Sequence, residues 1–414
     1  MKTYLILGAA VLMLSACQPK AQHSDWRGDS RNGEYSESNL LKSWPEDGPQ
    51  LIWEADSIGN GYSSPAVSNQ FVYTTGEADS TGYLFKYDLE GRELWKVAYG
   101  KEWTKNFPGP RGTPVVYGQN LYLCSGMGEL FCFDTKSGEK RWSKDLQTEF
   151  GGVIPRFGYS QSPLVNDDQL VIVPGGPEHN VVALNRHTGE LIWSCKAFGE
   201  WPAYNSAEFI QTGDEQLVSV FTAYHLLGID WKTGELLWSH EQTNTKPEER
   251  EQGNGDTHGN SPVFANGQLY YSAGDGNGGV DLQLSADGKS ISEKWQNPAF
   301  DSYMTGFVVA NNRLYGAGHR KQQLLAIDCS NGEVTDSLKT GRGITILADG
   351  MIYFYADKGE LSLIDASESQ LKKVSSFKLK KGTKEHFAHP VIRDGVLYVR
   401  HGNYLGAYSI KAEG

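Results

Sequence analysis

The chain is predicted to fold as an all-β, eight-bladed propeller, and three observations predict it. The first is a register. A small residue, usually followed by proline and a branched apolar pair, opens a short strand at Ser64, Thr113, Ser162, Ser206, Ser261, Gly306, Thr345 and His389. The separations of 49, 49, 44, 55, 45, 39 and 44 residues lie near the roughly 40–45 residues of a four-stranded blade. The second is alternation of apolar and polar residues in runs of five to seven, separated by Gly, Asn and Asp, which argues strand throughout and no long helix. The third is a matched unit in which a third strand ends in Asp, a Gly turn follows, and a fourth strand ends in Trp. Its clearest copies are FCFDTKSGEKRW (131–142), VALNRHTGELIW (182–193) and LGIDWKTGELLW (227–238).

Taken in chain order, residues 1–16 read as an export signal. Lys2 supplies the positive start, Tyr4 to Met13 the short apolar run, and Leu14-Ser15-Ala16-Cys17 resembles the lipobox of bacterial lipoproteins, with lipidation expected at Cys17. So short a run would not span a bilayer as a helix. Residues 17–50 are rich in Ser, Asp, Glu and Asn and read as the lipidated Cys followed by a polar tether. No Asp follows Cys17 directly and no acidic stretch comes after it. By the sorting rules of such lipoproteins, this points to an outer-membrane lipoprotein on the periplasmic side.

The propeller is assigned to residues 51–414. LIWEAD (51–56) has the Trp of a fourth strand but no third strand before it, and the last unit stops at YLGAYSI (404–410) without a fourth. Pairing these ends closes the ring and leaves no exposed strand edge. Between them, YDLEGRELW (87–95) is one residue shorter than the clearest copies, the fifth copy lengthens its turn before Trp295, and the sixth (326–336) and seventh (363–371) lose the Trp. Trp95, Trp142, Trp193, Trp238 and Trp295 are expected to pack between blades, each indole N–H finding a backbone acceptor.

Composition narrows the partners. Removal of residues 1–16 leaves 37 Lys and Arg against 50 Asp and Glu, which argues against nucleic acid and against charge-driven binding to anionic lipid. Four cysteines follow Cys17. Only Cys124 and Cys132 are near neighbours, readable as buried free thiols or as a cross-strand disulfide, and no CxxC or adjacent pair occurs. No metal site is predicted.

The unit LxxxDxxTGExxW, seen at 182–193 and 227–238, resembles the repeat of the quinoprotein-type, PQQ-like eight-bladed propellers. That superfamily includes the pyrroloquinoline quinone (PQQ) dependent alcohol dehydrogenases and the outer-membrane assembly lipoprotein BamB. The resemblance covers about residues 50–414 and implies the fold. Function has to be sought in what differs between copies.

The face formed by the approaches to the first strands and by the turns between second and third strands carries those differences. It gathers His179, His225, His258, His319, His386, His389 and His401, with Tyr62, Arg111, Arg156, Tyr159, Tyr204, Tyr303 and Arg342 just upstream of the openings and Arg320 and Arg400 ending second strands. From these, Tyr62, Arg111, Arg156, Tyr159, Tyr204, His258, Tyr303, His319, Arg320, His386 and His401 are taken as the ligand-binding residues of the channel mouth. Arg pairs with carboxylate in a fork and Tyr offers a stacking face plus a hydroxyl, which suits a small anionic or sugar-like ligand.

Three function classes follow. One is a lipid-anchored, periplasm-facing scaffold or binding module resembling BamB, with outer-membrane proteins as partners. The second is a PQQ-dependent dehydrogenase of alcohols or sugars, with PQQ and Ca²⁺ as cofactors and Asp256, Asp275 and Asn277 as calcium candidates in Gly, Asp and Asn runs that also suit plain turns. The adjacent Cys pair and large inserted loops of those dehydrogenases are missing. The third is a carbohydrate-active enzyme such as a polysaccharide lyase, with Tyr or His as base and Arg neutralising a uronate. The first is the preferred reading.

Overall fold

The computed structural model describes residues 22–250, 256, 258–367 and 370–412; Cys17 and the export signal lie outside them. Eight four-stranded antiparallel sheets form a ring of blades, numbered 1 to 8 in chain order. Blade 1 shows the pattern: Ala66–Val67 lines the central channel, and Phe71–Ala78, Thr81–Asp88 and Glu93–Lys101 follow outward. The ring closes as expected, because Gln50–Ala55 pairs antiparallel with Tyr404–Ser409 and becomes the outer strand of blade 8. Helix is limited, among the described residues, to one turn at Leu146–Phe150 and a 3-10 turn at Pro247–Glu249. The alternating apolar faces of neighbouring blades meet in a continuous series of buried clusters.

Two devices join the blades. The outer one is the Trp-Gly turn. Indole Nε1 of Trp53, Trp142, Trp193, Trp238 and Trp295 donates to a carbonyl of the next blade's turn, at Leu89, Arg186, Trp231, Gly288 and Cys329, over 2.8–3.1 Å. In blades 4 and 6 the turn glycine packs flat on the indole. A β-carbon at Gly234 would sit 2.7 Å from Trp193, and Gly234 has φ +76°, so both space and backbone demand glycine. Trp95 differs, since its buried Nε1 has no acceptor. Where the repeat loses its Trp, other groups substitute. In blade 6 Asp336 occupies the Trp register and accepts from Leu371 N, while Trp44 covers blade 7, its backbone N–H donating to Ser375 Oγ and its ring against Tyr353 and Phe377.

The inner device is a belt of hydroxyls around the channel. The backbone N–H of one opening residue donates to the side-chain oxygen of the next: His389 to Ser64, Ser64 to Thr113, Thr113 to Ser162, Ser162 to Ser206, and Ser206 to Ser261, each at 2.9–3.0 Å. This is why the openings are small and hydroxylated. The chain of hydroxyls stops at Gly306, which has none.

The gap is filled by the segment expected to be a free tether. From Gln22 onward that segment is part of the fold. His23–Ser24 pairs with the inner strand of blade 2, Glu34–Tyr35 pairs with the inner strand of blade 7, and the loop between them enters the channel from the face of the third-to-fourth turns. Arg27 is buried, and its guanidinium donates to Phe307 O (2.6 Å), Asn32 O (3.1 Å) and Thr345 O (3.4 Å) and meets His389 Nδ1 at 3.1 Å. It thus spans blades 6, 7 and 8, where the belt is interrupted. A β-carbon at Gly306 would collide with it. Arg31 reaches Ser162 O (3.1 Å) and Pro163 O (3.3 Å) and pairs with Asp25. Arg393 clamps Asp29 with both Nη atoms at 3.2 Å. A polar composition was misleading here because the acceptors are strand carbonyls hundreds of residues away.

The four cysteines Cys124, Cys132, Cys195 and Cys329 are buried and free. Cys124 faces Leu130 and Cys132 faces Tyr122 across the hairpin, so the two are not register partners.

Arg27→Ala is expected to lower unfolding free energy by about 3 kcal/mol, because buried carbonyls and His389 lose a charged donor. Arg27→Lys should recover little, since a single ammonium cannot replace the planar fork. Denaturant titration of the three proteins checks both.

Candidate functional site

The residue two positions before each opening points to the mouth of the channel, and this second register builds the site. Around the ring it reads Tyr62, Arg111, Ser160, Tyr204, Gly259, Met304, Gly343 and Phe387. Seven of these line one cup of about 260 Å³; Gly343 lines a side chamber instead. Phe107, Phe157 and Tyr303 complete the wall, and Trp26, from the inserted segment, and His389 form the floor.

The wall is an aromatic chain. Ring centroids run Phe387 to Tyr62 (5.7 Å), Phe387 to Phe107 (6.0 Å), Phe107 to Phe157 (6.1 Å) and Phe157 to Tyr204 (5.6 Å). Such spacing is that of edge and offset contacts. Trp26 lies 5.3 Å from the His389 ring below. His389 Nδ1 faces the Arg27 guanidinium, which can only donate, so Nδ1 is the acceptor and the ring is neutral; burial and then Arg27 hold its pKa well below the ordinary value.

The charged groups of the mouth are committed to the fold. Arg111 donates to Asn106 O (2.7 Å), Phe107 O (2.8 Å) and Gly109 O (3.3 Å), shaping the loop that carries Phe107 over the cup. Burial lowers its pKa to about 10, so it stays charged at neutral pH. Tyr62 donates to Glu385 Oε2 at 2.5 Å, and burial, then that carboxylate, raises its pKa. Burial likewise pushes Tyr204 up to about 12. Neither hydroxyl is poised to remove a proton.

The remaining predicted residues divide between a neighbouring chamber and the framework. His319 and His386 line the chamber, of about 430 Å³, with Asp275, Arg342, Asp357 and Glu385. Burial lowers both imidazoles, His386 to about 4. His401 is a framework residue: its two nitrogens lie 2.7 and 2.8 Å from the carbonyls of Lys381 and Lys384, and its ring stacks on His386 at 3.6 Å. Tyr159 is buried and donates to Pro174 O. His258 is buried, stacked on Phe221 at 4.3 Å, and burial brings its pKa to about 4. Arg156 is exposed beside Phe157, and exposed Arg320 pairs with Asp301 at 3.2 Å. Arg400 is buried on Ser63 and Gly402 rather than at the rim. Phe107, Phe157, Phe387, Met304 and Trp26 were not anticipated; the position two before each opening would have given Met304 and Phe387.

Of the calcium candidates, Asn277 meets Asp256 (Nδ2 to Oδ2, 3.5 Å), whereas Asp275 lines the neighbouring chamber. Asp256 accepts from Thr243 and Thr245, and Asn277 donates to Gly274 O and accepts from Asn244 N. No group of three His, Cys, Asp or Glu placed to hold a metal ion occurs among the described residues. Among the described residues, two adjoining side chains already engaged in this way fall short of the roughly six to eight oxygens that calcium takes, so they do not fit a quinone held with that ion.

Comparison with known proteins adds three findings. The family model described as outer membrane protein assembly factor BamB matches residues 80–337. The outer membrane protein assembly factor BamB of Shewanella oneidensis is 23% identical over 219 residues, which is 51% of this chain and 52% of that protein; the quinoprotein alcohol dehydrogenase PedH of Pseudomonas putida is 24% identical over 160 residues, 36% of this chain and 25% of PedH. The chain thus spans about half the length of the first of these relatives and a quarter of the second. The crystal structure of BamB from Moraxella catarrhalis superposes with a TM-score of 0.61 at 12% identity, covering 86% of this chain and 98% of that one.

Below the cup, Glu208 is buried against the inserted segment, and burial raises its pKa to about 8, with Arg31 and Arg27 opposing and Asp25 reinforcing. The folded chain therefore holds a proton that the unfolded chain releases near pH 4.3. Stability from this group is full below that value and is lost as pH rises through about 8. Glu208→Gln cannot ionise, so its advantage in melting temperature over the wild type should grow from pH 5 to pH 8. Thermal unfolding of both proteins across that range reads it.

Proposed function

Because the chain belongs to the outer membrane protein assembly factor BamB family, we propose that it is a lipid-anchored, periplasm-facing propeller that acts as a binding and scaffold module in outer-membrane protein assembly. The observation that carries this reading is the cup. It is closed below by the chain's own N-terminal segment, walled by aromatic rings, and the hydroxyls of Tyr62 and Tyr204 and the Arg111 guanidinium are already engaged. A rigid aromatic concavity of this kind holds an apolar or planar group with little loss of side-chain entropy. It offers no free general base. The Cys17 lipobox supports attachment to the membrane, and the acidic balance of the chain leaves the acyl chains as its source.

The eleven mouth residues enter the proposal in reduced form. Tyr62, Arg111, Tyr204 and Tyr303 are the binding residues, with Phe107, Phe157 and Phe387 beside them. The ligand is a flat apolar group or an exposed aromatic side chain of an outer-membrane assembly partner. The raised hydroxyls of Tyr62 and Tyr204 speak against the lyase reading, and the engagement of Asp256 and Asn277 with Thr243, Thr245 and Asn244 speaks against the calcium and quinone reading.

Two outcomes are expected. Cys17→Ala should move the protein from the membrane fraction to the soluble periplasm and abolish palmitate incorporation, as read by fractionation and metabolic labelling. Phe107→Ala with Phe387→Ala should keep the fold, because both rings are partly exposed, yet reduce recovery of outer-membrane assembly proteins in site-specific photo-crosslinking about tenfold, the effect of losing roughly 1.4 kcal/mol. Unchanged crosslinking would remove the cup from the proposal.

A further inference from the structure

The point at which the chain leaves the propeller is held tightly. Gln22 O accepts from Gly118 N at 2.8 Å, Gln22 Oε1 accepts from Tyr73 OH at 2.9 Å, and His23 O accepts from Arg393 Nη2 at 3.1 Å. These partners belong to blades 1, 2 and 8, and Gly118 lies in the turn after the inner strand of blade 2. Residue 22 therefore emerges near the channel axis, on the face opposite the cup. Only four residues lie between it and Cys17, and the five Cα–Cα steps reach about 17 Å when fully extended.

That length decides between poses. To bring the cup to the bilayer, the tether would have to pass the height of a blade, which for an eight-residue strand such as Phe71–Ala78 is about 26 Å. To stand the ring on its edge, it would have to pass the three strands outside the inner one, about 14 Å at 4.8 Å per strand before the outermost side chains are counted. This would leave the tether fully stretched. With the third-to-fourth turns toward the lipid, no such distance arises.

We infer that the propeller stands on a phospholipid surface with its third-to-fourth turns toward the lipid and its cup directed away, the pose being set by insertion of residues 22–36 into the channel. The inference rests on the lipid attachment at Cys17 proposed above. Asp134, Asp168, Asp230, Asp287 and Asp328 alternate with Lys136, Arg186, Lys232 and Lys289 in the lipid-side turns, so the face is mixed in charge and the short tether is what sets the pose. The cup accordingly meets soluble segments rather than membrane-embedded ones.

The test uses the full mature chain on vesicles of phosphatidylethanolamine and phosphatidylglycerol carrying a head-group nitroxide. One fluorescent amino acid is placed at exposed Lys136 or Lys232 on the turn face, or at exposed Lys105 or Lys321 on the cup face. Quenching at Lys136 and Lys232 should exceed that at Lys105 and Lys321 by at least about threefold and persist at about 0.5 M salt, where surface charge attraction is screened. A spacer of about twenty Gly and Ser residues inserted before Gln22 should erase the difference. Equal quenching on both faces, or stronger quenching at Lys105 and Lys321, overturns the inference. Release of the natively processed chain from vesicles would overturn the anchor instead, and the same chain coupled through Cys17 to a maleimide lipid still reports the pose.

Discussion

The closure of the inner ring is the constraint on which the rest depends. Eight inner strands start around a common axis, and at seven of the openings the backbone N–H finds its partner outside its own blade's ladder. A buried donor left unpaired costs about 1–3 kcal/mol, and here the cost would recur around the ring. Five joints are met by a hydroxyl from the next opening. At Gly306 the hydroxyl is gone; Gly306 N turns to Asn260 Oδ1 and Thr345 N to Thr305 O. Arg27 then gathers the carbonyls of Phe307 and Thr345 and the His389 ring. The irregular openings at Gly306 and His389 are thus the receptor for one buried arginine rather than decay of a repeat.

That arginine links architecture to site. It carries Trp26 to the floor of the cup and fixes the tautomer of His389. The wall above follows from a register of positions two residues before the openings, where the framework needs no particular side chain and the sequence is free to vary. Two tyrosines, a phenylalanine and a methionine stand there on one side, and Gly343 opens the polar chamber on the other. Repeats supply the rigidity; the departures from the repeat supply the chemistry.

Much of the fold was legible because its signals are local. The Asp-Gly-Trp unit spans about a dozen residues, and the unpaired ends at 51–56 and 404–410 dictate how the ring closes. The inserted segment was not legible, since Asp25, Arg27 and Arg31 look like solvated charge until carbonyls 131 to 318 residues away are brought around them. The same limit applied to the site. Tyr62, Arg111, Tyr204 and Tyr303 could be placed by their distance from an opening, whereas Tyr159 and Arg400 sit as near to strand ends but turn into the blades, a choice made by packing partners outside their own unit.

The most direct measurement is amide hydrogen exchange of residues 22–36 in the full native chain. If the segment completes the inner ring, the amide of Gly33, bonded to Arg27 O inside the inserted loop, and that of Tyr35, paired with Ala348 of blade 7, should exchange as slowly as those of the inner strand Gly343–Ala348. Exchange at the rate of a free peptide would mean that the segment is a tether after all, that the channel is open, and that the cup has no floor.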